Sequence, residues 1–289
     1  MEKILITGAT GNVGQATLRL FLERNYPDCE VVAAVRDIER AKKIREIASA
    51  NFVKFEFDEP STYREALADV TKVVLIRPNQ VADVTRYIFP FLDYARSVGA
   101  KQIVFVSIVG AEKNRIFANH RIENHLKKLE IPYTILRPSL YMQNLSTLHR
   151  ADIKDHDRIY IPAGAGLVNY TDVRDVADVI VEILTQEGHQ NKAYEITGPE
   201  AMDFYKITEL FSKELGREIR YARPLTLQFV RQKLRDKKQL PFIVTLSLLY
   251  GAARNGKMEH ISNVIQEITG RAPRNLRDFI HEHRAVWTK

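Results

Sequence analysis

The chain has 289 residues, of which 45% are hydrophobic and 27% charged, with a single cysteine, Cys29. This balance excludes intrinsic disorder, collagen and low-complexity classes, and one cysteine excludes an internal disulfide. The net charge is +7, and residues 217–257 hold ten Lys/Arg against two Asp/Glu, a surplus of +8 that leaves −1 for the rest.

The first half alternates strand and helix patterns. A short apolar strand over 3–7 precedes a helix over 12–25. A buried strand over 30–36 precedes a charged amphipathic helix over 38–49. An alternating strand over 52–57 leads to a helix over 61–68. Strand 72–76 is followed by a long helix over 81–98, strand 102–107 by a helix over 119–129, and a strand over 133–137 closes the series. Apolar runs separated by helices indicate a parallel sheet covered on both faces. Right-handed crossovers make this a doubly wound α/β sheet of the Rossmann type. Beyond Arg137 the regularity loosens. Short strands are expected at 158–162 and 167–170, a helix over 172–185 with Asp172 as N-cap, and a strand over 193–197. From Asp203 onward the chain reads as mostly helical. The expected organisation is a nucleotide domain over 1–155, rejoined by 168–197, and a smaller, mostly helical C-terminal lobe over 198–289 with 156–167, facing substrate.

The basic stretch 217–257 suits an anionic partner, such as a phosphorylated ligand or nucleic acid, or a solvated helix face. The absence of interleaved aromatics favours the solvated face over nucleic acid. The apolar run 242–253 is too short to span a bilayer and reads as a core or interface helix, or as a hydrophobic wall over a substrate. No secretory leader pattern opens the chain, and the expected location is the cytoplasm. The sequons at Asn144 and Asn169 are expected to be idle there.

The first strand ends in Gly8-Ala9-Thr10-Gly11-Asn12-Val13-Gly14, and a helix follows. This is G-x-x-G-x-x-G, a spacing variant of the dinucleotide fingerprint. Glycines allow a tight turn, a close approach of backbone to pyrophosphate and close packing of helix on sheet. The helix N-terminus presents free N–H groups and a positive dipole end to phosphate. The second strand ends Val35-Arg36-Asp37. Arg36 can pair with a 2′-phosphate, which favours NADP(H) over NAD(H), while Asp37 could face a free ribose if Arg36 points away. Phe57-Asp58 closes the third strand, where a carboxylate can accept from the adenine amino group. Ile76-Arg77-Pro78-Asn79 closes the fourth and borders the ribose–nicotinamide region, with Arg77 placed for phosphate or an anionic substrate. Ser107 closes the fifth strand at the carboxyl edge, where ligands of α/β sheets bind. The eight histidines make no metal box, and none is expected: His281 and His283 are two apart and Asp155-His156-Asp157 reads as a polar turn.

Over residues 1–200 the chain resembles the atypical short-chain dehydrogenase/reductases, and within them the NmrA-like group. The resemblance rests on the Gly8–Gly14 loop, Val35-Arg36, Phe57-Asp58, Val104-Phe105-Val106-Ser107, Ile131-Pro132-Tyr133-Thr134-Ile135-Leu136-Arg137-Pro138, Tyr141-Met142-Gln143-Asn144-Leu145 and Asp172-Val173-Arg174-Asp175-Val176-Ala177. It implies that residues 8–14 hold the pyrophosphate, Arg36 the 2′-phosphate and Asp58 the adenine. Ile76, Arg77 and Asn79 would line the ribose side, Ser107 the nicotinamide side, and Pro138, Ser139 and Tyr141 would face nicotinamide and substrate.

The departures from that pattern matter for mechanism. Tyr-x-x-x-Lys is absent after Ser107. The position of the lysine falls on Asn119 and that of the acid on Arg115. Asn119 can hydrogen-bond a ribose hydroxyl but brings no charge. His120, next to it, is either a proton donor or a partly exposed histidine at a helix start. A quinone needs only hydride, so its reduction survives the loss of the tyrosine, whereas epimerisation does not. The expected function is NADPH-dependent reduction of a quinone-like small molecule, with Ser107, Asn119 and His120 as candidate catalytic residues. The alternatives are a non-catalytic NADP(H)-sensing regulator acting on a protein partner, and a nucleotide-sugar epimerase or reductase.

Overall fold

A computed structural model of the chain describes residues 2–78, 81 and 83–289. Seven strands make one parallel sheet in the order β10-β6-β5-β4-β1-β2-β3. In chain order its first half reads β1 (Glu2–Ile6), α1 (Asn12–Arg24), β2 (Cys29–Val35), α2 (Ile38–Lys42), β3 (Asn51–Lys54), α3 (Tyr63–Ala66), β4 (Lys72–Ile76), α4 (Val84–Ser97), β5 (Gln102–Val106), α5 (Ala118–Leu126) and β6 (Tyr133–Pro138). It continues with β7 (Leu140–Tyr141), α6 (Gln143–Ser146), α7 (Arg150–His156), β8 (Arg158–Ile159), β9 (Val168–Thr171), α8 (Val173–Thr185), β10 (Lys192–Ile196), β11 (Ala201–Met202), α9 (Phe204–Leu215), β12 (Arg220–Tyr221), α10 (Thr226–Arg235), α11 (Leu240–Arg254), α12 (Val264–Thr269) and α13 (Leu276–His283).

The chain divides into two compact units, Met1–Pro138 with Val176–Glu195, and Ser139–Asp175 with Ile196–Lys289. The break therefore falls at Pro138 rather than at 155, and the return at 176 rather than 168. The reason is local pairing: β7 and β9 join each other and β11 in a separate three-stranded sheet, which groups 139–175 with the residues after 196.

Within the first unit the expected strands hold to within a residue or two, except at the third. Strand β3 pairs with β2 from Asn51 to Lys54 and ends there, because β2 itself ends at Val35 and β3 is the sheet edge. Phe55 and Phe57 instead turn into the core, where their rings meet edge-on at 4.8 Å and both meet Phe91. Such edge contacts add about 0.5–1.5 kcal/mol each to area burial. Leu5, Val73, Leu75, Ile103 and Phe105 complete this core. Two expected helices break up, 38–49 into α2 and a 3₁₀ turn at Arg45–Ile47 separated by the extended Ile44, and 61–68 into a 3₁₀ turn at Pro60–Thr62 and α3, while the helix expected over 119–129 ends at Leu126. Helix α4 starts at Val84, capped by Asp83, whose side chain accepts from the Arg86 N–H at 3.2 Å.

The second unit is mostly helical with two small sheets. Helix α11 confirms the apolar run as core: Ile243, Leu246, Leu249, Tyr250 and Ala253 are buried. Trp287 is fully buried, its Nε1 donating to the Leu145 carbonyl at 3.1 Å and its ring edge-on to Phe211. The basic stretch is not wholly a solvated face. Lys233 is buried, with Nζ 3.4 Å from Asp152 and 3.2 Å from Asp236, and Arg217 donates to the Ile153 and Trp287 carbonyls. Asp155 and His156 belong to α7 rather than to a turn, and Asp157 is the left-handed residue that ends it. Asn169 is buried with its amide bonded to Gly198 and Glu200, so it offers no glycan acceptor. No helix among the described residues is long and apolar enough to cross a membrane.

Candidate functional site

The strand order reverses between β1 and β4: the chain runs outward from β1 to β2 and β3, then returns to β4 and continues to β5 and β6. In an open parallel sheet a crevice forms at the carboxyl ends at such a point. The residues at those ends belong to the first unit.

The loop after β1 needs its glycines. Gly8 has φ +59°, and a Cβ there would lie 2.8 Å from the Ile76 carbonyl oxygen. A Cβ on Gly14 would lie 2.4 Å from the Gly8 carbonyl oxygen and 2.7 Å from Ala9 Cα. The loop closes on itself through Gly11 N–H to Gly8 O at 2.9 Å and Gln15 Nε2 to Thr10 O at 2.6 Å. Thr7 stitches it to β4, donating to the Ile76 carbonyl at 3.2 Å and accepting from the Ile76 N–H at 2.9 Å. Helix α1 follows with Gly11 as its N-cap, no capping side chain and no acid in its first turn. Its first-turn N–H groups on Asn12, Val13 and Gly14 meet no acceptor among the described residues. Ala9 and Val13 are buried, so only their backbones face this space, while Thr10, Gly11 and Asn12 are exposed. The free N–H groups at this helix start suit a phosphate group, and a Cβ at Gly8 or Gly14 would collide with the backbone that shapes the turn.

At the end of β2, Arg36 is exposed and has no hydrogen bond or ion pair among the described residues. Asp37 is diverted: its carboxylate accepts from the Arg40 N–H at 2.9 Å and caps α2. Asp58 is exposed as well. Phe57 differs from expectation, since its ring is in the core and its carbonyl accepts from Tyr63 Oη at 2.5 Å. Burial, with the Asp58 charge nearby, pushes the Tyr63 phenol up to about 12.

Three strand ends are gathered by one helix. On α5, Asn119 and Glu123 are four residues apart and so share a face. Asn119 is buried, and its Oδ1 accepts from Arg77 Nη2 at 3.2 Å. Arg77 also donates to the Pro78 and Val81 carbonyls, has no carboxylate partner among the described residues, and leaves Nε buried without an acceptor. Burial pulls its guanidinium down to about 10. Ser107, at the end of β5, donates to Glu123 Oε1 at 2.6 Å. Arg137, at the end of β6, grips Glu123 with Nε at 3.1 Å and Nη2 at 2.7 Å. Burial alone would lower Arg137, but its bonds to Glu123 and the charges of Glu123 and Glu112 hold it above its ordinary value. Glu123 and Arg137 were not among the expected site residues. The i, i+4 spacing from Asn119 to Glu123 was the available signal.

The expected proton donor is engaged on both sides. His120 Nδ1 lies 2.8 Å from the Ala111 carbonyl and Nε2 2.8 Å from Asn124 Nδ2, so Nδ1 carries the proton and Nε2 accepts. His120 therefore has no N–H directed at a ligand. Arg115 is exposed on the turn before α5. Asn79 lies outside the described residues. Pro138 is buried at the end of β6. In the second unit, Ser139 donates to Asn169 Oδ1 at 3.0 Å, and burial pushes the Tyr141 phenol upward.

A family model for the NmrA-like family matches residues 1–281. The chain belongs to the NmrA-like family. An uncharacterized oxidoreductase, YesF, of Bacillus subtilis (strain 168) is 30% identical, over 99% of this chain and 96% of its own length. An NAD(P)H azoreductase of Xenophilus azovorans is 28% identical, over 98% of this chain and 99% of its own length. The structure of an NADPH-dependent quinone oxidoreductase of Escherichia coli, complexed with NADPH, superposes with a TM-score of 0.85 over 96% of this chain and 99% of that one, at 22% identity. That likeness shows the fold.

Proposed function

We propose that this NmrA-like protein is a cytoplasmic NADPH-dependent oxidoreductase that reduces a flat, electron-accepting small molecule of the quinone class. The carrying observation is the Gly8–Gly14 cradle opening onto an uncapped helix start, with Arg36 exposed beside it and Asp37 already committed to capping α2. Backbone N–H groups of residues 12–14 would hold the pyrophosphate. Arg36 would hold the 2′-phosphate in a charge-assisted contact, while the neighbouring Asp37 is occupied in capping α2. Arg77, Asn119 and Ser107 line the side toward β4 and β5. A bound reduced nicotinamide supplies hydride. With both nitrogens of His120 engaged, the proton for the reduced acceptor comes from water, which a quinone tolerates and a sugar hydroxyl does not. The names of the azoreductase and quinone oxidoreductase relatives support acceptors of this kind.

The absence of a Tyr-Lys pair at Arg115 and Asn119 also suits a second reading, an NADP(H)-binding regulator without turnover. Titration with NADPH and NADH, followed by NADPH oxidation against a panel of quinones, separates the two. The reductase reading expects quinone-dependent oxidation, and a loss in Arg36→Ala of about 10- to 100-fold in NADPH affinity with NADH affinity unchanged. Tight NADPH binding without turnover on any acceptor transfers the assignment to the regulator.

A further inference from the structure

We infer that Glu123 is a positioning residue that fixes Ser107 as a one-way hydrogen-bond acceptor, and that this acceptor receives an N–H of the nicotinamide carboxamide. The inference rests on the NADP(H) reading above.

A serine hydroxyl has one proton to give and two lone pairs to receive with. Ser107 gives its proton to Glu123 Oε1 across 2.6 Å, in a site where both residues are about 1% exposed. Arg137 places guanidinium N–H groups on both oxygens of Glu123, so only acceptors face Ser107. Arg137 is itself braced by Glu112 at 3.3 Å. The Ser107 backbone is fixed too, its N–H donating to the Leu136 carbonyl at 2.7 Å. No donor reaches Ser107 Oγ among the described residues, so a buried oxygen is left with lone pairs to fill. A neutral serine free to rotate would serve donors and acceptors alike, whereas this one selects donors.

The location agrees. Strand β5 is two places from β1, about 10 Å across the sheet, on the side opposite β2 and Arg36. A dinucleotide with its pyrophosphate over Gly8–Gly14 and its 2′-phosphate at Arg36 carries its other half toward β4 and β5. The carboxamide NH₂ is the donor on that half. Glu123–Arg137 alone would tie α5 to β6 without any serine, so what the serine adds at this strand end is an oxygen whose lone pairs are open to a donor.

Calorimetric titration tests this with two ligands, NADPH and 2′-phospho-ADP-ribose, which lacks the ring. In Ser107→Ala, NADPH affinity is expected to fall about tenfold while the ringless ligand changes less than twofold. Ser107→Thr, which keeps the hydroxyl, should restore most of the loss. Glu123→Gln should weaken NADPH selectively in the same direction. If Glu123→Gln fails to fold, leaving Arg137 buried without its carboxylate, the small Ser107→Ala deletion still decides the matter. Equal losses for both ligands in Ser107→Ala, or no loss for either, overturn the inference and leave the cofactor reading standing. Failure of both ligands to bind the wild-type protein overturns the cofactor reading and the inference together.

Discussion

Replacing Gly14 with alanine puts the phosphate cradle to its sharpest test. Gly14 is the third residue of α1, where alanine would normally add about 1 kcal/mol of helix propensity. Here the new Cβ would stand 2.4 Å from the Gly8 carbonyl oxygen and 2.7 Å from Ala9 Cα, against 3.4–4 Å for ordinary contact. Both obstacles are backbone, so the loop must retreat by about 1 Å rather than rotate a side chain, at the cost of about 1–3 kcal/mol expected of overpacking. The same carbonyl receives the Gly11 N–H at 2.9 Å, so the retreat also loosens the turn. Propensity offsets part of this, and the net change in stability should be a loss of about 0–2 kcal/mol. Binding suffers more, because donors displaced by that distance no longer meet a phosphate oxygen: NADPH affinity should fall about 10- to 100-fold. Gly11→Ala is the graded control, with its Cβ at 3.2 Å from the same oxygen, and should weaken binding less. Fluorescence titration with NADPH gives the affinities and a thermal melt gives the stability. A folded Gly14→Ala protein that binds NADPH as tightly as wild type would refute the cradle.

Other expectations concern the second unit. Burial, with the Lys233 charge nearby, pulls the fully buried His149 down to about 3 from an ordinary 6.5, and its Nε2 is bonded to Tyr250 Oη at 2.9 Å. Between those values the unfolded chain binds a proton that the native state refuses, so stability falls as pH drops from 6.5 toward 3, by about 1.4 kcal/mol per pH unit from this residue. Urea unfolding at pH 7 and pH 5 should show a difference about 2 kcal/mol smaller in His149→Gln than in wild type, and identical differences would exclude His149 as the source. Trp287→Ala removes a fully buried indole, its bond to Leu145 and its contact with Phe211, and should cost about 3–5 kcal/mol in urea unfolding; a loss below about 1 kcal/mol would show that the C-terminal residues do not close this core.

Most of the nucleotide half was legible in the residues. Parallel strands buried on both faces must be apolar throughout, so Val73-Val74-Leu75 and Ile103-Val104-Phe105 announced themselves. The glycine loop was equally plain, because only glycine tolerates φ +59° at Gly8 and the contact of Gly14 with backbone. Local sequence was a poorer guide to where elements stop. Strand β3 is as long as its partner β2 allows, and Phe55 and Phe57 follow the aromatic core rather than the pleat.

What the sequence determined by itself was the order of elements, the tight glycine turn before α1 and the arginine at the end of β2, since each depends on residues adjacent in the chain. What only the tertiary structure decided was how the three carboxyl-edge polar groups are employed. Asn119, Glu123, Arg77, Ser107 and Arg137 come from one helix and three strands, and their hydrogen bonds span 14 to 42 residues of sequence. A hydroxyl, an amide and a carboxylate have no fixed partner until packing brings one within about 3 Å, so the direction in which Ser107 gives its proton is a property of the fold.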